Sequence, residues 1–232
     1  MPQTYLITGA SRGIGLEFAR QLSARAAIAG DTVLATARDP GKASELVALK
    51  GVMVLPLDVA SEASIETFAK ALAGRPIDVL INNAGISNHT PDLDSCTLAK
   101  LQEVFTTNTF APVLITKALL PNISAGEGKR VINITSVLGS MGLHHTGFSY
   151  GYCASKAALN MLTQKLATEL AKVHPTSCVI ALHPGWVQTE MGGKEAPLTP
   201  AAAVQTMLAT IAKLTPANTG AYLNTDGAAL PW

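Results

Sequence analysis

The sequence predicts an α/β fold, a doubly wound parallel β-sheet flanked by helices on both faces. Short apolar runs alternate with longer segments of helical spacing almost from end to end. The runs are apolar throughout rather than alternating, as expected of strands covered on both sides. No repeat, low-complexity tract or linker interrupts the 232 residues, so a single domain over 1–232 is expected. In order, Thr4–Thr8 reads as the first strand and Ile14–Ala27 as its crossover helix. Thr32–Ala37 is the second strand, followed after Pro40 and Gly41 by a helical stretch, Ala43–Leu49. Val52–Leu57 is the third strand and Ser64–Ala73, stopped by Gly74, its helix. Val79–Asn82 is the fourth, followed by a long helical pattern over Leu98–Leu120. Arg130–Thr135 leads to Gly151–Val173, and Cys178–His183 leads to Ala201–Leu214, opened by Pro200. The Pro- and Gly-containing stretch Gly185–Pro200 is expected to be a loop beside a site rather than a domain boundary.

Composition narrows the function. Hydrophobic residues make up 48% of the chain and charged residues 14%, and the mean hydropathy is +0.28. This is the reverse of the signature of disorder, and a chain of this length buries roughly 70–75% of its unfolded surface. The net charge of +1 supplies no sequence-independent grip on nucleic acid or an anionic membrane. Cys96, Cys153 and Cys178 are odd in number and widely spaced, which argues against a disulfide framework and for a reducing compartment. Apolar stretches break before the ~18 residues of a spanning helix. The N-terminus lacks the pattern of a signal peptide, and Leu230-Pro231-Trp232 is no targeting tripeptide. A cytoplasmic protein is expected.

Between the first strand and helix lies Thr8-Gly9-Ala10-Ser11-Arg12-Gly13-Ile14-Gly15. Glycines there let the backbone turn tightly and approach a pyrophosphate at the helix N-terminus. The spacing differs from Gly-x-Gly-x-x-Gly and lacks the Gly-Lys-Ser/Thr ending of an ATP-hydrolysing loop. Its place after the first strand and at the opening of a helix is the context of a dinucleotide site, the alternative being an ordinary tight turn. Charge at the end of the second strand selects among dinucleotides, because a carboxylate there accepts from a ribose 2′-hydroxyl and repels a 2′-phosphate. The strand ends Ala37-Arg38-Asp39. With Ala37 at the last position, Arg38 and Arg12 are placed to form a two-sided guanidinium clamp, which favours NADP(H) over NAD(H). The alternative is that both arginines are solvated and Asp39 faces the ribose.

Tyr152 and Lys156 are four residues apart at the start of a helical segment, so both project from one face. A phenol with an ordinary pKa of about 10 is a poor acid–base catalyst at neutral pH, and a fixed ammonium would lower that value. By itself the pair is not diagnostic. Its companions lie at the carboxyl ends of strands, where a doubly wound sheet holds its ligand: Asn82-Asn83-Ala84-Gly85, Thr135-Ser136, and His183-Pro184-Gly185-Trp186-Val187-Gln188-Thr189. Each alone reads equally as a turn or cap. Their ordered recurrence in one chain is the signal.

On these residues the chain resembles the short-chain dehydrogenase/reductase family in its compact form, along essentially its whole length. Thr8–Gly15 is similar to the family's cofactor loop (Gly9, Ser11, Arg12, Gly13, Ile14, Gly15), Asp58-Val59 to its adenine-side position, and Asn83, Ala84 and Gly85 to its Asn-Asn-Ala-Gly element. Asn108, Ser136, Tyr152 and Lys156 match its catalytic tetrad, and Pro184, Gly185, Val187 and Thr189 its nicotinamide-amide segment. Ser136–Ser140, His183–Gly193 and the ending Asn224-Thr225-Asp226-Gly227 through Trp232 further resemble sniffer-like carbonyl reductases and bacterial C-factor proteins. The resemblance implies a Rossmann-type NADPH-dependent carbonyl reductase, reversible as an alcohol dehydrogenase. Tyr152 is then the acid/base, Lys156 its pKa-lowering partner and ribose ligand, Ser136 the group that orients substrate oxygen, and Asn108 the holder of a relay water. Hydride passes directly from the nicotinamide to carbon, so no metal is needed. The C-factor likeness also admits a regulatory protein in which turnover is incidental. A homodimer or homotetramer through Leu98–Leu120 and Gly151–Val173 is implied as well.

One departure is visible. Ser136 and Tyr152 stand 16 positions apart, a few more than is usual in the family, and the extra residues fall in Gly142–Tyr150. His144 and Phe148 in this stretch, with Trp186, are candidate substrate contacts. For His144 and its neighbour His145 the alternative is a solvated pair, and for Phe148 and Trp186 it is core packing. Cys153 reads as a reactive thiol or a small buried helix residue. His89, His144, His145, His174 and His183 show no metal-binding spacing.

Overall fold

A computed structural model describes residues 1–88, 90–143 and 149–232. Seven strands, β1 (Thr4–Ile7), β2 (Thr32–Ala37), β3 (Val52–Pro56), β4 (Val79–Asn82), β5 (Arg130–Ile134), β6 (Cys178–Leu182) and β7 (Tyr222–Leu223), form one sheet in the order β3-β2-β1-β4-β5-β6-β7. Every pairing is parallel. The order reverses between β1 and β4, and at their carboxyl ends the crevice of a doubly wound sheet opens.

Strand alternation divides the core in two. Tyr5, Ile7, Val33, Ile81, Ile132 and Ile180 face one side, where α1 (Gly13–Ala29) brings Phe18 and Leu22 and α8 (Pro200–Lys213) brings Val204 and Met207. Leu6, Leu34, Leu80, Val131 and Val179 face the other, against α3 (Glu62–Ala71), α5 (Ala111–Ala118) and α7 (Tyr150–Val173) through Phe68, Ile115 and Leu170. The short helix α2 (Ser44–Val47) follows β2. Thus the runs that read as apolar throughout are strands covered on both faces, except β3 at the sheet edge, where Met53 and Pro56 are exposed.

The long helix expected over Leu98–Leu120 is divided. α4 (Leu98–Phe105) passes into a π turn at Thr106–Phe110 before α5, and α6 (Leu120–Ala125) follows as a separate helix. Pro112 explains the break, because it lacks the N–H that an α-helix would offer the Asn108 carbonyl. Pro121 then opens α6 rather than continuing α5. The two-residue β7 is too short to leave a periodic signal. Thr8, Thr135 and His183, read as strand ends, lie one residue past them. The stretch after Gly185 is irregular as expected, pinned by a single bridge from Val187 to Leu198.

Candidate active site

The glycine turn is built as its sequence implies. Gly9 has φ +65°, and a Cβ there would stand 2.8 Å from the Ala84 Cα. At Gly15 a Cβ would collide with the Gly9 carbonyl oxygen and the Asn83 amide. Only glycine therefore lets β1, β4 and α1 meet here. Asn83 Nδ2 donates to the carbonyls of Thr8 and Gly9 at 3.0 and 3.1 Å, and Thr8 Oγ1 accepts from the amides of Asn83 and Ala84, both at 3.1 Å. Asn83 thus clasps the turn rather than presenting its side chain to a ligand. Side chains of Ser61, Thr97, Ser149 and Thr199 cap α3, α4, α7 and α8, whereas α1 has no side-chain cap at Arg12 and no acidic residue in its first turn. Its first N–H groups remain for an anion, so the turn fits a pyrophosphate.

The two arginines of the expected clamp are differently engaged. Arg38 is exposed at the end of β2. Arg12 instead donates to Glu190 at 2.6 Å, both side chains being more than 70% exposed, so this pair bridges the glycine turn to the loop after β6. Asp39 accepts from the Gly41 amide at 3.0 Å and faces Lys42 at 3.4 Å. Its carboxylate is occupied in the turn. Asp58 accepts from the Ala60 amide with Oδ1 at 3.0 Å, and Val59 is buried beside it.

Tyr152, Ser136, Lys156 and Asn108 converge where β4 and β5 end. Ser149 caps α7 and starts it so that Tyr152 and Lys156 fall on the face toward β5. The hydroxyls of Tyr152 and Ser136 are hydrogen-bonded, and Ser136 Oγ accepts from the Leu138 amide at 3.2 Å. Lys156 Nζ donates to the Ile134 carbonyl at 2.8 Å and lies 5.7 Å from the Tyr152 ring centre. Asn108 Nδ2 donates to the Ile86 carbonyl at 2.9 Å and to Ser155 Oγ at 3.1 Å, while Oδ1 accepts from the Ile86 amide at 2.9 Å. A Cβ on Gly85 would stand 3.4 Å from Asn108 Oδ1 and 3.7 Å from Lys156 Nζ, so Gly85 floors the site.

One electrostatic expectation is corrected. Tyr152 is not lowered: part of the residue reaches solvent, but burial of its phenol pushes the pKa up to about 12, with the Ser136 hydrogen bond opposing and the neighbouring Cys153 adding to the rise. Burial also brings Lys156 down to about 8. The ammonium is spent on the Ile134 carbonyl and sits over the ring, so desolvation outweighs attraction for both groups. The Cys153 thiol is half-buried and raised by burial, which removes the reactive-thiolate reading.

Beyond β6, Pro184 and Gly185 lead to Val187, which is buried, and Thr189, whose Oγ1 accepts from the Gly192 amide at 3.0 Å. Trp186 is 57% exposed, its indole N–H held by the Gly192 carbonyl at 2.7 Å, so core packing is excluded for it. His144 and Phe148 lie outside the described residues. Thr8 stands in the sequence motif, but its hold on Asn83 and Ala84 is visible only in the structure; Ser155, which holds Asn108, carried no sequence signal, since a hydroxyl in a helix has many bland uses. Among the described residues no group of three His, Cys, Asp or Glu could hold a metal, and no helix is long and apolar enough to cross a membrane.

Comparison with known proteins places this geometry. The NADPH-bound carbonyl reductase from chicken fatty liver shares 36% identity over 100% of this chain and 99% of its own, with a TM-score of 0.90. Carbonyl reductase Sniffer of D. melanogaster shares 30% over the whole of both chains, with a TM-score of 0.91. The C-signal protein of Myxococcus xanthus is 39% identical over 169 residues, 72% of this chain and all of that protein. The family model described as short chain dehydrogenase matches residues 3–198, most of the chain and all of the tetrad positions. With its seven-stranded parallel sheet and glycine turn, the chain therefore belongs to the short chain dehydrogenase family, oxidoreductases that act on small molecules.

Proposed function

We propose that the protein is an NADPH-dependent carbonyl reductase that reduces a small or medium, apolar ketone or aldehyde and runs in reverse as an alcohol dehydrogenase. One observation carries the reading: the Tyr152 and Ser136 hydroxyls are hydrogen-bonded to each other, with Lys156 one helical turn on, beside an uncapped glycine turn. Ser11, Arg12, Gly13 and Ile14 hold the pyrophosphate, Asp58 and Val59 the adenine, Ala84 and Gly85 the ribose side, and Pro184, Gly185, Val187 and Thr189 the nicotinamide amide. Arg38 and Arg12 take the 2′-phosphate, a reading supported by the engagement of Asp39 with Gly41 and Lys42.

A bound nicotinamide supplies hydride from C4 to the carbonyl carbon. Ser136 orients the carbonyl oxygen, and Tyr152 gives that oxygen its proton. A phenol held near 12 is fully protonated at neutral pH, which is the acid form that reduction needs. Lys156, bonded to the Ile134 carbonyl and 5.7 Å from the Tyr152 ring centre, would bond the ribose with its remaining N–H groups and is placed beside the phenol whose proton must be restored. Asn108 holds the relay water through its backbone carbonyl, since Ile86 and Ser155 occupy its side chain. Trp186 borders the substrate, and His144 and Phe148 stand as sequence-based candidates for the same role.

The chain acts as one domain over 1–232. Exposed Leu98, Phe110 and Met161 on α4, the π turn and α7 accord with a homodimer or homotetramer through these helices, and three unpaired cysteines with the cytoplasm. Initial rates of NADPH and NADH oxidation against aldehydes, diketones and quinones test the reading. The expected result is NADPH-preferring turnover that collapses in Tyr152→Phe. The C-signal likeness favours a second reading, a dinucleotide-dependent regulator. NADPH binding without turnover, and a cellular phenotype rescued by Tyr152→Phe, would establish that one instead.

A further inference from the structure

The peptide that follows Ser136 is gripped from two neighbouring strands. Its carbonyl, that of Ser136, accepts from the Tyr222 hydroxyl at 2.7 Å, and its amide, that of Val137, donates to His183 Nδ1 at 3.2 Å. Tyr222 is the first residue of β7 and His183 is the residue just past β6; the two strands are tied there by the His183 amide, which donates to the Leu223 carbonyl at 2.8 Å. The surroundings of this peptide are tied to α7 by Asn160, one turn beyond Lys156. Asn160 Nδ2 donates to the Gly139 carbonyl at 3.2 Å, Asn160 Oδ1 accepts from Thr135 Oγ1 at 2.6 Å, and Asn160 is also hydrogen-bonded to Tyr222.

These contacts exceed what folding the turn requires. The Gly139 amide already serves the Ser136 carbonyl at 2.9 Å, so the carbonyl would be satisfied without Tyr222. Tyr222 on the carbonyl and His183 on the amide instead fix the plane of one peptide. That plane matters because the next amide, Leu138, donates to Ser136 Oγ, and Ser136 Oγ in turn meets Tyr152. Rotating the 136–137 peptide would swing the Leu138 N–H and release the serine hydroxyl from its aim. Tyr222 is 2% exposed, its ring lies 5.1 Å from that of Trp232, and burial keeps its hydroxyl protonated, hence a donor, throughout the working range.

We infer that Tyr222 and His183 are positioning residues that aim the Ser136 hydroxyl by clamping both polar groups of the Ser136–Val137 peptide. This rests on the proposed reductase function, in which Ser136 orients the substrate carbonyl. Tyr222→Phe keeps the buried ring and removes only the hydroxyl, and His183→Asn keeps an acceptor near the Nδ1 position while His183→Leu does not.

The test is steady-state kinetics on full-length parent and variant chains with a carbonyl that the parent reduces, alongside amide exchange at Val137 and Gly139. In Tyr222→Phe we expect kcat to fall about tenfold, the size of one lost aligning hydrogen bond, with the KM for NADPH within about twofold of the parent. His183→Leu should match it and His183→Asn should recover most of the loss. Exchange of the Val137 and Gly139 amides should quicken while amides in β1 and β4 stay protected. Unchanged kcat in Tyr222→Phe beside a dead Tyr152→Phe would overturn the clamp and leave the reductase standing. A rise in the NADPH KM matching the fall in kcat would also overturn it, as general loosening. If the parent reduces no carbonyl, the function falls, and unaltered exchange at Val137 in Tyr222→Phe would by itself overturn the clamp.

Discussion

Replacing Lys156 by Met should make the cofactor-free protein more stable at neutral pH, and the size follows from the site. Lys156 is 4% exposed, and burial lowers its pKa from 10.5 to about 8. At 1.36 kcal/mol for each tenfold change in proton affinity, holding the charge in place costs roughly 3 kcal/mol. Met has nearly the same length and no charge, but it leaves the Ile134 carbonyl without its donor, a loss of about 1–2 kcal/mol. The net gain at pH 7 is about 1–2 kcal/mol. Its pH dependence is the sharper quantity. Between about pH 8 and 10.5 the unfolded parent still holds the lysine proton that the folded parent has released, so the parent's stability rises with pH there while Lys156→Met contributes no such change. The advantage of Lys156→Met should therefore shrink by about 3 kcal/mol across that window, change sign within it and leave the parent the more stable by about 1–2 kcal/mol at its top. Other titrating groups are shared by the two chains and cancel in the difference. Denaturant unfolding followed by circular dichroism, at fixed protein concentration and at pH 7, 8.5 and 10.5, measures it. A stability difference that stays constant with pH, or a less stable Lys156→Met at pH 7, would refute the assignment of a desolvated ammonium.

Three further outcomes are expected. Arg38→Ala should raise the KM for NADPH about tenfold and leave that for NADH within about twofold, since the lost contact is a charge-assisted bond to a 2′-phosphate; competition by 2′-phosphorylated adenosine reads the same effect. Glu190→Gln should lower the KM for NADPH about two- to fivefold at low salt, because an exposed ion pair is worth at most about 1 kcal/mol and its loss frees Arg12; the gain should vanish at high salt. Gly15→Ala should abolish NADPH-induced thermal stabilisation and destabilise the chain by about 2–3 kcal/mol, as its Cβ meets the Gly9 carbonyl and the Asn83 amide, and a normal thermal shift with NADPH would contradict the packing described.

Most of the sheet is legible because its signals are local. Six of the strand runs keep their place to within a residue, since a run apolar throughout has few alternatives to burial on both faces. The break at Thr106–Phe110 had a local cause in Pro112, but the three threonines and the apolar residues around it hold helical spacing through the π turn, so periodicity conceals it. At the site, the glycine turn and the Tyr152–Lys156 pair are visible for the same reason, each being a fixed spacing on one element. The direction of the Tyr152 pKa was not, because it depends on how far the phenol is desolvated and on where the ammonium points.

By itself the sequence determined the parallel sheet, the glycine turn and which side chains share the first turns of α7, all consequences of periodicity and glycine placement within some twenty residues. Only the tertiary structure decided that Arg12 turns to Glu190, that Asn83 clasps the turn it was expected to serve, and that Tyr222 and His183 hold the Ser136–Val137 peptide across separations of 86 and 46 residues. A hydrogen bond between residues so far apart leaves no spacing to read. It exists because parallel strands entering one sheet bring their carboxyl ends to a single edge, where side chains of unrelated sequence position meet.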